Sequence, residues 1–237
     1  MRRFALLLIL CVACKPGTTP PAQKNAGPQV RATVVTIRTS VEPGKRSFTR
    51  TLVILGDKAR LTNEHDAWRL FDVKQKSVTF VDDIARTHRT EPLATILKNR
   101  QTVLARPIPP QIPHVAWQQA GVHKTIQGVD AQQAVVTAGA YRRELWIGRH
   151  PAIPEELYAM IVASDAPASP LAPMMAAADR ALVAMRGFPL VDHAELPFGK
   201  SEKFVVDHTV VSIAQQPVAA TLLQVPGDYK DVTPKPP

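Results

Sequence analysis

Cysteine is nearly absent from this chain of 237 residues, because only Cys11 and Cys14 occur and both lie near the N-terminus. The rest of the chain therefore cannot form a disulfide or a cysteine-ligated metal site. Aromatic residues make up 5%, and no apolar run reaches the ~20 residues that a helix needs to cross a bilayer. The sequence also lacks a phosphate-binding glycine loop, a nucleophile elbow and an HExxH pair.

The segment around the two cysteines has the form of a bacterial export signal. Two arginines precede the apolar residues 4–13, whose length fits the ~7–15 residues of a signal-peptide core. The stretch "VAC" that ends at Cys14 resembles the lipobox, in which a small residue precedes a cysteine that becomes acylated, although Cys11 stands where that motif usually has Leu. We predict a signal peptide at residues 1–13 and lipidation of Cys14. The alternative is an ordinary secretory signal with a stray cysteine.

Residues 14–29 are predicted to be a tether, because they contain several prolines and glycines and no apolar cluster. Bacterial lipoproteins carry several acyl chains, and two or more chains hold a protein stably at a membrane. Lys15 rather than Asp follows the cysteine, which under enteric sorting rules indicates the outer membrane. We therefore expect a cell-envelope protein that faces the periplasm and contacts the membrane through its N-terminal lipid.

Basic residues outnumber acidic ones, 29 against 20. Without the two arginines of the signal the balance is 27 against 20, a net charge of +7. Such an excess favours anionic membrane surfaces or acidic partners, or it belongs to a solvated surface. Because the basic residues are scattered and aromatic residues are few, we expect no nucleic-acid partner.

Hydrophobic patterning predicts one domain over residues 30–232 and a disordered tail over 233–237. Six strands between residues 30 and 91 precede a helix that begins at Pro92. The later predicted elements are strands within 122–148, a short helix at 155–163, a longer helix at 169–187, and strands at 188–191, 202–214 and 218–225. This order predicts an α+β fold: a curved antiparallel β-sheet forming an incomplete barrel of about eleven strands, with two or three helices covering the concave face.

Several segments resemble a family of bacterial envelope proteins of unknown function that is related to the LolA/LolB-like lipoprotein-carrier fold. They are, in order, "GDKARLTNE", "AWRLFDVKQKSVTFVDDIARTHRTEPL", "GVHKTIQGVDAQQAVVTAG", "YRRELWIG", "RGFPL" and "VPGDYKDV". The family often has a cysteine after the glycine of the "IQG" turn, where this chain has Val129. The resemblance implies a half-barrel that holds lipid or an acylated protein, and it supplies no catalytic residue.

Candidate cavity-lining residues are large apolar side chains, which otherwise simply fill the core. They are Trp68, Leu93, Ile96, Leu97, Trp146, Leu171, Met174, Met175, Ala178, Leu182 and Met185. None of the seven histidines pairs with another at metal-ligand spacing. Asp207 and His208 are adjacent on a predicted strand, so they should point to opposite faces. We therefore predict no catalytic residue, no metal site and no cofactor.

Three functions follow from these observations, in order of preference. The first is a non-catalytic protein that binds lipid or an acylated protein in an apolar concavity. The second is a structural or assembly module that binds another envelope protein on its sheet or loops. The third is an enzyme, which would require polar side chains with shifted pKa values to converge in a pocket.

The Cys14→Ser variant should abolish acylation, because Cys14 is the predicted acceptor. Cys11→Ser is the matched control and should leave acylation intact, since Cys11 is removed with the signal. Metabolic labelling with an alkyne analogue of palmitate in a Gram-negative host measures both. Retained label in the Cys14→Ser chain would show that the predicted anchor is wrong.

Overall fold

A computed structural model describes residues 28–62, 67–104, 116–165, 183, 186–198 and 202–234. The described residues form one sheet of twelve strands, two α-helices and a 3₁₀-helix. The strands are β1 (Gln29–Glu42), β2 (Arg46–Leu55), β3 (Lys58–Thr62), β4 (Ala67–Asp72), β5 (Ser77–Asp82), β6 (Thr87–Pro92), β7 (Ala116–Ile126), β8 (Val129–Ala138), β9 (Tyr141–Gly148), β10 (Phe188–Phe198), β11 (Glu202–Ala219) and β12 (Lys230–Asp231). The helices are α1 (Leu93–Leu104), α2 (Glu155–Ser164) and the 3₁₀-helix Ala220–Leu223.

Two meanders make up the sheet, and they join through the pairing of β1 with β11. The strand order is β12-β6-β5-β4-β3-β2-β1-β11-β10-β9-β8-β7, which leaves the sheet open with β12 and β7 at its edges. Every pairing is antiparallel except that of β12 with β6, which is parallel. The prediction of a purely antiparallel sheet is therefore wrong at this one edge, where a C-terminal segment runs alongside β6.

Side chains from distant strands meet on one face, so the sheet is strongly curved. In the strand order β3 and β9 lie five places apart, which corresponds to about 24 Å in a flat sheet. Leu61 of β3 and Tyr141 of β9 nevertheless line the same cavity of about 280 Å³. The predicted incomplete barrel thus holds in outline, as one large open sheet that bends around its helices.

Strand alternation gives this sheet two different faces. The face that we call the core face carries Val35, Leu52 and Leu61, and it forms the main core together with α1 and α2. Helix α2 follows Pro154 and has two acidic residues in its first turn, where they complement the helix dipole. Both α1 and α2 begin within one residue of the predicted positions, which confirms these two helices.

The opposite face, which we call the outer face, is covered over β1 and β2 by the C-terminal segment. Leu223 of the 3₁₀-helix packs there against buried Val34 and Val53. Arg60 donates a hydrogen bond to the Leu222 carbonyl oxygen at 3.1 Å, and its guanidinium lies 3.8 Å from the ring centroid of Trp68. The C-terminal segment therefore packs against the sheet rather than extending away from it.

The predicted break at residues 215–217 is wrong, because β11 continues to Ala219. Pro217 pairs with Arg31 of β1, whereas β10 pairs with β11 only as far as Thr209. A proline has no N–H to donate, but it is tolerated where a strand has a partner on one side only. Residues 218–225, predicted as a strand, instead give the end of β11 and the 3₁₀-helix.

Several predictions lie outside the described residues. These are the signal peptide, Cys14, most of the tether and nearly all of the predicted helix at 169–187. Val183 is described, and it packs against the main core. Among the helices that the structure describes, none has both the length and the apolar character that a membrane crossing requires.

Leu223→Ala tests whether the C-terminal segment stabilises the sheet. Leu223 is 4% exposed, so its truncation should lower the free energy of unfolding by about 2–4 kcal/mol through lost burial and a cavity. Val232→Ala is the control, because Val232 is 46% exposed and its truncation should cost less than about 0.5 kcal/mol. Urea unfolding measures both, and equal losses would contradict the packing described here.

Candidate ligand-binding cavity

A cavity of about 280 Å³ lies between α2 and the core face. Most of its wall is apolar, and the apolar and aromatic residues include Ile37, Leu61, Tyr158, Ile161, Val162, Phe188, Leu196 and Val206. The ring of Tyr158 on α2 meets that of Phe188 on β10 edge to face, with centroids 6.2 Å apart. Six strands and one helix thus contribute to a single pocket whose lining is largely apolar.

A buried ion pair interrupts this apolar wall. Arg143 of β9 donates two hydrogen bonds to the carboxylate of Asp192 on β10, at 2.8 and 2.7 Å. The two side chains are only 12% and 9% exposed. Burial alone would raise the pKa of Asp192, but the adjacent Arg143 guanidinium outweighs it and holds that pKa below its ordinary value. The pair therefore stays ionised, with each charge matched by the other.

Antiparallel register explains how Asp192 comes to face a histidine. The sequence contains Asp192-His193 on β10 and Asp207-His208 on β11, and the register sets Asp192 opposite His208 and His193 opposite Asp207. Successive residues point to opposite faces, so one Asp–His pair lies on the core face and the other on the outer face. This outcome confirms that Asp207 and His208 point away from each other.

His208 is the histidine that lines the cavity. Its Nδ1 atom lies 2.8 Å from the hydroxyl of Thr39, which is itself buried. Burial lowers the pKa of His208, and the positive charges of Arg50 and Arg143 add to that effect against the opposing pull of Asp192. The imidazole is therefore neutral near pH 7.

A second charged group lies where the C-terminal end of α2 meets β2 and β4. Arg69 on β4 donates hydrogen bonds to Ser164 at 2.7 Å and to Asp165 at 2.6 Å. Arg50 on β2 lines the cavity, and burial lowers its pKa while Asp165 raises it and Arg69 lowers it. A guanidinium remains protonated at neutral pH despite such a shift. The cavity therefore has a second group of opposite charges, Arg50 and Asp165, beside its apolar wall.

His193 lies on the outer face in a different environment. Its Nδ1 atom lies 2.6 Å from Asp207, and its Nε2 atom lies 3.2 Å from Glu195, which also accepts a hydrogen bond from Lys203. The hydrogen bond to Asp207 raises the pKa of His193, against a smaller opposing effect of burial. The described residues contain no group of three or more acidic, histidine or cysteine side chains suited to a metal ion.

The predicted cavity residues fall into three groups. Leu93 and Ile96 pack in the main core, whereas Leu97 is 42% exposed, and none of the three lines the cavity. Trp68 is on the outer face, where its Nε1 atom donates a hydrogen bond to Asp83 at 2.8 Å, and Trp146 is half-buried with the Lys124 ammonium 5.2 Å from its ring centroid. Those outside the described residues are Leu171, Met174, Met175, Ala178, Leu182 and Met185.

Trp68 does not line the cavity because of strand alternation. Arg69 and Phe71 of β4 point to the core face, so Trp68 and Leu70 point to the other. Strand β4 therefore has large apolar residues on both faces of the sheet, since the C-terminal segment buries the outer face there.

The residues that sequence reasoning missed are the polar ones that line the cavity. They are Arg50, Tyr141, Arg143, Asp165, Asp192 and His208. One available signal was the repeated Asp-His dipeptide, because two such dipeptides on adjacent antiparallel strands can oppose each other as charged pairs. The other was Arg50, which interrupts the β-branched pattern of β2 at an inward position.

No family model matches the chain, and no curated protein matches it in sequence. Among solved structures, PNGF-II in two crystal forms is similar over 86% of this chain, with TM-scores of 0.44 and 0.42 and 12% identity. This chain spans only 31% and 32% of the length of those chains. A LolA superfamily protein from Nitrosomonas europaea is a weak structural neighbour, with a TM-score of 0.26, 9% identity, and coverage of 83% of this chain and 90% of its own. At these TM-scores none of the likenesses assigns the chain to a fold family.

The pKa of His193 should lie above the ordinary histidine value of 6.5, and the pKa of His208 should lie below it. The raised pKa of His193 means that its protonation stabilises the fold below pH 6.5, a contribution lost as the pH rises through the folded-state pKa. The lowered pKa of His208 means that acidification below 6.5 destabilises the fold, because the unfolded chain takes up that proton more readily.

Urea unfolding of His193→Gln and His208→Gln between about pH 5 and 8 checks these signs. Relative to the unsubstituted chain, His193→Gln should lose stability mainly at the acidic end. His208→Gln should instead remove part of the acid destabilisation. The same pH profile in both variants would contradict the two environments.

Proposed function

We propose that this protein is a lipid-anchored, non-catalytic protein of the bacterial cell envelope that holds an acyl chain, of a lipid or an acylated protein, in the cavity between α2 and the sheet. The observation that carries the proposal is the cavity itself, whose wall is mostly apolar with a few convergent polar groups. Ligand sites in proteins have this composition, with polar groups that fix orientation within an apolar enclosure.

The size of the cavity restricts the ligand. At about 280 Å³ it lies just below the ~300–1,000 Å³ typical of small-molecule sites. A single chain therefore suits the described space better than a lipid with two chains. The edge-to-face rings of Tyr158 and Phe188 give one wall aromatic carbon against which a chain can pack.

The predicted location supports the same function. An acylated Cys14 followed by a proline-containing tether would keep the domain beside a membrane, where acyl chains are abundant. The net positive charge would favour approach to anionic lipids.

The polar groups in the cavity are the argument for an enzyme, because residues with shifted pKa values cluster at catalytic sites. His208 would be its acid–base group, since it is neutral and faces Asp192. Both oxygens of Asp192, however, accept hydrogen bonds from Arg143, and the described lining contains no serine, threonine, cysteine or lysine. Asp192 is thus engaged in an ion pair, and the described lining offers His208 none of these four nucleophiles, so we rank catalysis last.

An assembly module is the second candidate, and the edge strand β7 favours it. Residues 118–125 of this strand are exposed along the open edge of the described sheet. An exposed edge can add a strand from another protein through main-chain hydrogen bonds.

Native mass spectrometry of the Cys14→Ser chain, purified from an envelope extract, tests the acyl-binding proposal. We expect one bound species with the mass of a single-chain lipid or acyl group. Ala194→Phe should reduce its occupancy at least about tenfold, because Ala194 lines the cavity and the larger ring would occupy the space of the chain.

Val211→Phe is the matched control, since Val211 is 37% exposed and does not line the cavity. Thermal melting of both variants establishes that they fold. Absence of any bound acyl species, or equal occupancy in the two folded variants, would overturn the proposal.

A further inference from the structure

The charged groups in the described lining of the cavity occur in equal numbers. They are the cations Arg50 and Arg143 and the anions Asp165 and Asp192. Asp192 accepts two hydrogen bonds from Arg143, and the negative charge of Asp165 acts on Arg50. A charged ligand in this space would therefore bring a charge that the lining does not match, and an unmatched buried charge is costly.

His208 is a polar but uncharged group on the sheet side of the cavity. On β11 it stands opposite Thr39 of β1 and opposite Asp192 of β10. Val206 precedes it by two residues and so shares its face of the sheet, and Ala194 stands opposite Val206 on β10. Val206, Ala194 and His208 all line the cavity. A neutral imidazole thus adjoins an apolar part of the cavity floor.

The hydrogen bond between Thr39 and His208 determines which ring nitrogen carries the proton. Thr39 is 1% exposed, and among the described residues its hydroxyl has one hydrogen-bond partner, the Nδ1 atom of His208 at 2.8 Å. A buried hydroxyl proton without an acceptor costs free energy, so the hydroxyl donates and Nδ1 accepts. The proton of the neutral ring is then on Nε2. Because no described residue accepts a hydrogen bond from Nε2, this donor is available to a ligand in the cavity.

We propose, building on the acyl-binding function above, that the cavity selects acyl esters and amides over free fatty acids, and that the Nε2–H group of His208 donates a hydrogen bond to the acyl carbonyl oxygen. An ester or amide has no net charge, so it leaves the charged groups of the lining as they are. Its carbonyl oxygen accepts a hydrogen bond from a neutral donor. The chain packs against the apolar wall that includes Tyr158, Ile161, Phe188 and Leu196.

Each competing ligand class fails to match one part of the cavity. A fatty-acid carboxylate carries its charge into a lining whose charges are equal in number. A plain hydrocarbon displaces water from the Nε2–H group of His208 and leaves that donor without an acceptor. An acyl group that is attached to a lipid or a protein is an ester or an amide, so the selection follows the ligands of the proposed function.

Calorimetric titration of the full chain carrying Cys14→Ser with methyl octanoate, octyl methyl ether and octanoate tests the proposal at neutral pH. The ester and the ether have the same chain length and differ by the carbonyl oxygen. We expect the ester to bind about fivefold tighter than the ether, within the range of one net hydrogen bond. Octanoate should bind about tenfold or more weakly than the ester, because its charge would be desolvated.

His208→Phe combined with Thr39→Val removes both members of the hydrogen bond, so that no buried hydroxyl is left unpaired. The double variant should lose the preference for the ester while its affinity for the ether stays within about twofold. A merely structural role of His208 would change both affinities alike. His193→Phe is the matched control, because this histidine lies on the outer face opposite Asp207, and it should behave as the unsubstituted chain. Thermal melting establishes that both variants fold.

Four results would overturn the proposal, and the first two need no variant to fold. Equal affinity for the ester and the ether in the unsubstituted cavity would leave chain binding intact and reject the hydrogen bond to the carbonyl. Octanoate binding as tightly as the ester would reject the selection against free fatty acids. A preference for the ester that persists in the folded double variant would reject the role of His208. No binding of any probe would reject the proposed acyl-binding function together with this inference.

Discussion

The pairing of β1 with β11 is the constraint on which the rest of the structure depends. It runs in continuous antiparallel register from Gln29 opposite Ala219 to Glu42 opposite Val205, with one irregularity near Thr36. Without it the two meanders would be separate sheets, and β1 and β11 would each be an exposed edge strand. With it, β2 and β10 flank the β1–β11 pair, and their side chains on the core face can approach each other across the concave side of the sheet. The cavity exists because this one ladder joins the first strand to the last long one.

Local sequence signals predicted the elements better than their arrangement. Alternation along the strands and the prolines that precede α1 and α2, Pro92 and Pro154, are short-range properties of the sequence. Strand partners depend on contacts between residues far apart in the chain, which no local pattern encodes. The placement of Trp68 shows the difference, because alternation links it to Leu70 but does not say which face the C-terminal segment will cover.

The polar side chains of the cavity were missed for a related reason. Arg143 and Asp192 are unremarkable residues on separate strands until the register brings them together. A buried ion pair contributes little net stability, yet loss of one partner typically costs about 3–5 kcal/mol. The fold therefore depends on keeping both charged residues of the pair. In a pocket with a mostly apolar wall, the pair adds two charged groups to the lining.

The C-terminal segment has a consequence for when the protein can fold. Both β11 and β12 come late in the chain, and β1 and β6 have no sheet partner on one side until those strands arrive. A chain threaded through a pore with its N-terminus leading would expose the flank of β1 until nearly all of it had emerged. Contacts of such long range also slow folding. For a chain that crosses a pore in this direction, translocation and folding would be separated in time, and the chain would stay accessible to chaperones until β11 had emerged.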